Sequence, residues 1–238
     1  MTNEQKERFE IAKGLCAFNS VDFWTLYDFV KNGEPKTDEA VEAKAEPRNT
    51  DSGAVADGVY AVFKDGSYIA AHLLDADAKT NPETKNIVGV GIKQGERSLT
   101  VALHDCAGGE EITLTSDKDT TNEIAYYVDD TMDAVADWNG KANTIHLQRI
   151  GLNPAIVLKE GQWLPSVGEM YLIYTNLKAV NLALKLIGAE PLKRNWYWTS
   201  TEGSAAFAWN LYLSNGYLAW LGKAANKLYV RPVSAFIS

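Results

Sequence analysis

Sulfur and imidazole side chains are scarce in this chain of 238 residues, which contains two cysteines and three histidines. Cys16 and Cys106 lie far apart and outside any Cys-x-x-Cys motif, which argues against a disulfide framework and a structural zinc site. We predict two buried free thiols. His72, His104 and His146 stand in separate segments without the spacing of metal ligands, and we interpret each as structural or exposed.

Extended apolar stretches and excess positive charge are also missing. No stretch approaches the roughly 20 apolar residues that span a bilayer. The 31 acidic and 23 basic residues give a formal net charge of −8, which argues against nucleic acid as a partner and against electrostatic attachment to a membrane. The first ten residues, MTNEQKERFE, have no apolar core of the kind a signal peptide needs. We therefore expect synthesis in the cytoplasm and no membrane insertion.

Catalytic and ligand-binding motifs are equally scarce. His104, Asp105 and Cys106 are adjacent, but neighbouring residues on a strand point to opposite faces and cannot form a triad among themselves. The glycines of GVGIKQG lack the strand–turn–helix context of a phosphate-binding loop. The segments DADAKTNPE and DKDTTNE carry many oxygen ligands, but neither matches a glycine-centred calcium loop, so solvated turns are the preferred interpretation. We predict no metal, no cofactor and no enzymatic activity.

The first part of the chain differs in pattern from the rest. Ile11, Leu15 and Phe18 recur at helical spacing, and a second helical pattern follows Ser20, so residues 1–33 are predicted to be a helical segment. Residues 34–56 are rich in charge, alanine and proline, which predicts an acidic linker. The helical segment is expected to dock to a larger assembly or to form a homo-oligomer. The alternative is that it folds back onto the main domain.

Residues 57–238 show hairpin signals, then helices, then a run of strands. Asp65-Gly66 and Gln94-Gly95 are expected hairpin turns, EEITLT a short strand, and Asn139-Gly140 the end of a helix. The order predicts an α+β fold.

The clearest helix starts at Ser166 and Glu169, which form a capping box. Its apolar stripe runs from Met170 to Ile187, with a break near Asn176 that divides it into two helices, and it ends at Gly188. Four strand-like segments follow, namely NWYWTST, AFAWNLYLSNG, YLAWLGK and LYVRPVSAF.

Alternation on the second of these segments predicts which side chains are buried. Trp209, Leu211 and Leu213 are expected to point inward, while Asn210 and Tyr212 point outward. Tyr217 and Trp220 are expected to continue the outward face after the turn.

Three phrases in order, GQWLPSVGEMYLIYTN, YWTSTEGSAAFAWNLYLSNG and YVRPVSAF, resemble the C-type-lectin-like domains of gut bacterial surface proteins and of phage tail proteins. The resemblance covers residues 57–238 and implies a C-type-lectin-like fold with antiparallel sheets and two helices. Calcium-dependent sugar binding is not expected, because the Glu-Pro-Asn motif of calcium-dependent lectins is missing. Oxidase activity is not expected either, because the paired cysteines of formylglycine-generating oxidases are missing.

Some members of this family are variable proteins of diversity-generating retroelements, whose substituted side chains form a ligand-binding surface. The resemblance implies an adhesin or receptor-binding protein on a virion tail or cell surface, with an unknown protein or glycan as ligand. The alternative is a structural tail or surface protein whose lectin-like domain only mediates assembly. The positions that would form the ligand-binding surface are Gly203, Ala205, Ala206, Phe207, Tyr212, Tyr217, Ala219, Trp220, Leu221, Ala224, Ala225 and Tyr229.

Overall fold

The computed structural model describes residues 55–74, 82–116 and 127–236. The predicted N-terminal helices, nearly all of the predicted linker and Cys16 lie outside the described residues.

The described residues form two antiparallel sheets, and the larger has the strand order β2-β1-β3-β4-β9-β5. Its strands are β1 (Gly58–Phe63), β2 (Tyr68–Ala70), β3 (Ile87–Gln94), β4 (Arg97–Ala102), β5 (Gln162–Trp163) and β9 (Val233–Ser234). The expected hairpin turns are confirmed, with Gly66 at a φ of 84° and Gly95 at 58°, a conformation that glycine adopts without strain. The predicted EEITLT strand is reduced to isolated bridges at Ile112 and Thr115.

The last predicted strand, LYVRPVSAF, is correct only over Val233–Ser234. Pro232 precedes it and has no N–H to donate to a ladder, which ends regular pairing there. Because β9 lies within the same sheet as β1, the two ends of the described chain are close. The rings of Tyr60 and Phe236 are 5.4 Å apart between centroids.

The smaller sheet contains three strands in the order β6-β7-β8. They are β6 (Trp196–Glu202), β7 (Phe207–Tyr212) and β8 (Tyr217–Gly222). Within the described ranges, four helices accompany the sheets, α1 (Thr131–Ala136), α2 (Gly140–Ile150), α3 (Val167–Thr175) and α4 (Leu177–Leu186), with short 3₁₀ turns at Ala71–Leu73, Pro82–Asn86 and Ala107–Gly109. None of the helices in the described ranges is long and apolar enough to cross a membrane.

Helix α3 begins with the predicted capping box. The Ser166 hydroxyl accepts from the Glu169 N–H at 3.4 Å, and a Glu169 carboxylate oxygen accepts from the Ser166 N–H at 2.9 Å. The predicted break is also confirmed, because Asn176 separates α3 from α4. Its side-chain amide donates to the Leu172 carbonyl at 2.9 Å and to Gln94 at 3.0 Å, which ties the break to β3.

Helix α1 ends at Ala136, close to the helix end predicted near Asn139-Gly140, but Gly140 itself begins α2. A Cβ atom on Gly140 would lie 2.0 Å from a carboxylate oxygen of Glu169. Glycine is required at this position for close packing against the capping box, and not to end a helix.

Helices α3 and α4 lie between the two sheets and form the main core with them. The core residues are almost completely buried. They include Val90, Ile92 and Val101 from the larger sheet, Met170, Ile173, Val180 and Leu184 from the helices, and Tyr197 and Leu211 from the smaller sheet. This arrangement of antiparallel sheets and a few helices is α+β. The smaller sheet packs against α3 and α4, and β8 is at its edge.

Candidate ligand-binding surface

The two sides of the smaller sheet carry different partners. On one side, Trp209 packs in a cluster with Val167 of α3, and we call this the α3 side. On the other side, Trp198 packs in a cluster with Leu147 of α2, and we call this the α2 side. Strand β7 therefore has a buried side chain on both sides, whereas β8 is at the edge of the sheet.

The register of the β7–β8 hairpin decides which predicted residues share a side. Trp209 pairs with Trp220, and Tyr212 pairs with Tyr217. Directly paired residues project to the same side, so Trp220 lies on the α3 side and Tyr217 on the α2 side. The expectation that both continue one outward face is wrong. Residues three positions apart on a strand point to opposite faces, and the sequence already contained that signal.

The inward prediction for Trp209, Leu211 and Leu213 is confirmed, since all three are buried. The outward prediction for Asn210 is wrong, because Asn210 is fully buried on the α2 side, beside Trp198 on β6. Tyr212 is half-buried rather than fully displayed. The central strand is covered on both sides, which alternation alone does not reveal.

Three residues predicted for the ligand-binding surface, Gly203, Phe207 and Trp220, come together on the α3 side. The rings of Trp209 and Trp220 are 5.2 Å apart, and a Cβ atom on Gly203 would lie 3.0 Å from a Trp220 ring carbon. The Gly203 N–H donates to the Phe207 carbonyl at 3.0 Å, which closes the turn beneath the ring. Gly203 is buried, so it supports the surface by letting the Trp220 ring lie close to the backbone, and Phe207 and Trp220 are exposed beside it.

Three rings form a separate cluster on the α2 side. Trp196 stacks on Tyr212 with centroids 4.9 Å apart, and Tyr217 meets Trp196 edge-on at 6.0 Å. Trp196 is absent from the predicted surface, although it pairs with Tyr212 across β6 and β7. Only the register between those strands identifies it.

The remaining predicted residues lie outside these two groups of rings. Ala206 and Ala225 are exposed, and Ala205, Ala219, Leu221, Ala224 and Tyr229 are half-buried. Tyr229 lies against Tyr197, with ring centroids 5.5 Å apart, and carries the Lys193 ammonium 4.2 Å above its ring. It therefore belongs to the packing behind β6 rather than to the surface of the hairpin.

A buried charge cluster fixes the end of the hairpin next to Gly203. Lys223, which follows β8, pairs with Glu202 at the end of β6, and the two side chains are 1% and 5% exposed. His146 of α2 approaches the other Glu202 oxygen at 3.2 Å. Sequence reasoning missed this cluster because its members come from three separate elements. It joins both outer strands to α2, so the turn that carries Phe207 is firmly held.

A second buried cluster holds the segment that contains the VRPV phrase. The Arg231 guanidinium donates to Asp105 at 2.6 Å and to the carbonyls of Ala102 and Glu190 at 2.9 and 3.1 Å. The Tyr197 hydroxyl donates to the other Asp105 oxygen at 3.2 Å, and its pKa is raised by burial and by the Asp105 charge. The VRPV segment, residues 230–233, is therefore buried framework and does not form part of the exposed hairpin surface.

The described residues contain no group of three or more metal-ligating side chains. Cys106 is a buried free thiol, as predicted, and burial followed by the Asp105 charge raises its pKa to about 11. A thiol with this pKa stays protonated at neutral pH and is a poor nucleophile.

No family model matches the sequence, and no curated protein is similar enough to count as a relative. Among solved structures, the chain resembles a fimbrial protein from Bacteroides ovatus ATCC 8483, with a TM-score of 0.51 and 14% sequence identity. The match covers 76% of this chain and 49% of that one, so this chain spans about half the length of the fimbrial protein. At this identity the likeness shows a shared fold alone.

Proposed function

We propose that this chain is a non-enzymatic ligand-binding protein of the bacterial surface, an adhesin that uses the β7–β8 hairpin as its contact surface. The exposure of aromatic rings on this hairpin carries the proposal. Phe207, Tyr217 and Trp220 are 45%, 63% and 38% exposed, while their neighbours Trp209 and Leu211 are buried. Aromatic rings on a rigid backbone give a large contact area and lose little conformational entropy on binding, which is why they are frequent in binding surfaces.

The proposal includes a C-type-lectin-like domain. It is supported by the separation between the buried framework residues and the exposed residues of the hairpin. The three phrases that carry the family resemblance supply buried groups, namely the Ser166–Glu169 cap, the Glu202 carboxylate and the Arg231 guanidinium. The fold shared with a fimbrial protein is in keeping with a role at the cell surface.

A further part of the proposal is diversification by a retroelement. Ala206, Phe207 and Ala225 project from turns and strand ends held by the buried clusters, so substitutions there would alter the surface and leave the core intact. A template repeat and a reverse-transcriptase gene beside this gene are the expected observation. Flanking tail genes would assign the protein to a virion, and flanking fimbrial genes to the cell surface.

The experiment that tests binding uses the fluorescently labelled chain on intestinal epithelial cells and on gut bacterial cells. The triple variant Phe207→Ala, Tyr217→Ala and Trp220→Ala is expected to lose binding, since aromatic anchors carry about 2 kcal/mol or more each at an interface. The matched control is the triple variant Val88→Ala, Ile145→Ala and Val157→Ala, which removes apolar side chains exposed elsewhere. Equal binding by both triple variants would contradict the proposal.

The alternative function is assembly, in which the domain only packs against neighbouring subunits. It predicts that the chain binds no cell and self-associates through the hairpin. Sedimentation of the chain and of the hairpin triple variant distinguishes the two functions.

A further inference from the structure

The surface on the α3 side has an acidic border that extends the aromatic pair. Val128 is buried, its N–H donates to the Glu202 carbonyl at 2.9 Å, and its carbonyl accepts from the Trp209 indole at 2.7 Å. These two bonds fix Val128 next to the indole on which Trp220 lies. Tyr127 and Asp129, on either side of Val128 in the chain, are both exposed. The backbone segment that carries Tyr127 and Asp129 is therefore held beside the Trp209–Trp220 pair.

The charge on this border is negative. Residues 127–140 contain four aspartates and no lysine, arginine or histidine, and residues 203–222 contain no charged residue. Asp137 accepts from Thr201 at 2.6 Å and from Asn143 at 2.8 Å, and is thus part of the internal bonding. Asp129, Asp130 and Asp133 are exposed. Lys223, the lysine nearest to the hairpin in the sequence, is buried in its pair with Glu202 and does not offset these charges at the surface. The exposed Arg97 guanidinium lies 4.3 Å above the ring of Trp138, nine residues after Asp129, and offsets charge at that end of the segment.

We infer that the ligand on this side is a cationic peptide segment, in which an arginine or lysine is flanked by apolar residues. The inference rests on the proposed function and names the ligand class for one side of the hairpin. A cation is attracted to the face of an indole, and carboxylates at the border pair with the same cation. Arginine fits best, because its planar guanidinium stacks on an aromatic ring and binds a carboxylate through two N–H groups. Sulfated or sialylated glycans, which are anionic, would be repelled.

The test uses three peptides of one length, Leu-Arg-Leu-Arg-Leu, Leu-Gln-Leu-Gln-Leu and Leu-Glu-Leu-Glu-Leu, titrated into the ¹⁵N-labelled full chain. Shifts of the tryptophan indole signals report binding, and the Trp220 signal is identified by its loss in Trp220→Ala. The arginine peptide is expected to bind at least about tenfold more tightly than the glutamine peptide, a difference of about 1.4 kcal/mol. Its affinity should fall as salt rises from about 50 mM to about 500 mM, because exposed charges are screened.

Variants decide which residues bind the peptide. Asp129→Asn combined with Asp133→Asn should weaken the arginine peptide and leave the glutamine peptide unchanged. Trp220→Ala should weaken both peptides. The matched control is Val157→Ala, which removes an apolar side chain exposed outside the hairpin and should change neither affinity. Tyr217→Ala is the comparison on the α2 side, where a smaller loss than in Trp220→Ala is expected.

Equal affinity for the arginine and glutamine peptides, or loss of binding in Tyr217→Ala and not in Trp220→Ala, would overturn the inference. Failure of all three peptides would also overturn it. In that event the cell-binding experiment separates the two proposals, since hairpin-dependent binding to cells would leave the proposed function standing. Absence of cell binding as well would remove both.

Discussion

Strands β7 and β8 are adjacent in one hairpin and have similar compositions, FAWNLY and YLAWLG, yet their burial is opposite. Four of the six residues of β7 are buried, and none of the six residues of β8 is. The difference comes from position, because β7 lies between β6 and β8 while β8 pairs with β7 alone among the described strands. Position in the sheet, and not composition, separates the aromatic residues that stabilise the fold from those that are displayed.

The largest effect is expected for Trp209→Ala. The substitution removes a buried indole from the cluster with Val167, leaves the Val128 carbonyl without its donor and leaves a cavity under Trp220. The expected loss is about 4–5 kcal/mol of unfolding free energy. Denaturant unfolding measures it, and a loss below about 1 kcal/mol would show that β7 is not the buried strand.

Lys223→Met is expected to be the next most destabilising change, at about 3–4 kcal/mol, because it leaves the buried Glu202 carboxylate without its ammonium partner. The control is the double variant Glu202→Leu and Lys223→Met, which removes both charges. Replacing both partners by apolar groups is expected to recover most of the loss, measured in the same unfolding experiment. A double variant that is no more stable than the single one would mean that packing, and not charge, dominates this end of the hairpin.

Local sequence signals predicted a substantial part of this fold. The Ser166–Glu169 cap, the break at Asn176 and the turn at Gly95 each depend on residues within a few positions of one another, and all three are confirmed. Such features need no knowledge of the rest of the chain.

Features that depend on distant residues were not predictable in the same way. Gly140 is required by the Glu169 carboxylate, which is 29 positions later in the chain. Asn210 is buried because the α2 side of β7 is covered too, and the Lys223–Glu202–His146 cluster joins three elements. The wrong side predicted for Trp220 has another cause. Its spacing of three residues from Tyr217 already places the two rings on opposite faces of a strand.

Helix α3 covers one side of β7, and its cap makes that cover sensitive to pH. Burial raises the Glu169 pKa from 4.5 to about 7, opposed by hydrogen bonds from Ser166 and Trp163. The folded state therefore holds this proton more tightly than the unfolded state. Its contribution to stability is complete below pH 4.5 and is lost as pH rises through about 7.

The measurement is unfolding free energy against pH for the natural chain and for Glu169→Gln, which keeps the shape and cannot ionise. From about pH 4.5 to about pH 8, the stability of the variant relative to the natural chain should rise by about 3 kcal/mol. A constant difference across this range would contradict the raised pKa. Strand β8 is distant from this cap in the chain and pairs with β7 alone among the described strands. Substitutions in β8 should therefore leave the pH profile unchanged.

Trp220→Ala should have a smaller effect, because its indole is 38% exposed but still lies on Trp209 and Gly203. The expected loss is about 1–2 kcal/mol. Gly203→Val offers an independent check, since its side chain would occupy the space of the ring. If ring placement is what matters, Gly203→Val should weaken ligand binding even though Trp220 is still present.

Tyr217→Ala is expected to have the smallest effect on stability, about 0.5 kcal/mol or less, because its ring is 63% exposed at the edge strand and touches Trp196 only edge-on. Tyr212→Ala is the informative partner, since Tyr212 pairs with Tyr217 in the same hairpin but stacks on Trp196 from β7. A larger loss for Tyr212→Ala than for Tyr217→Ala would extend the contrast between the two strands to one matched pair of tyrosines. Equal losses would mean that the stacked ring adds nothing beyond its exposed counterpart, and the contrast would then apply only to the α3 side. The midpoints of urea unfolding for the two variants, measured side by side, decide between these outcomes.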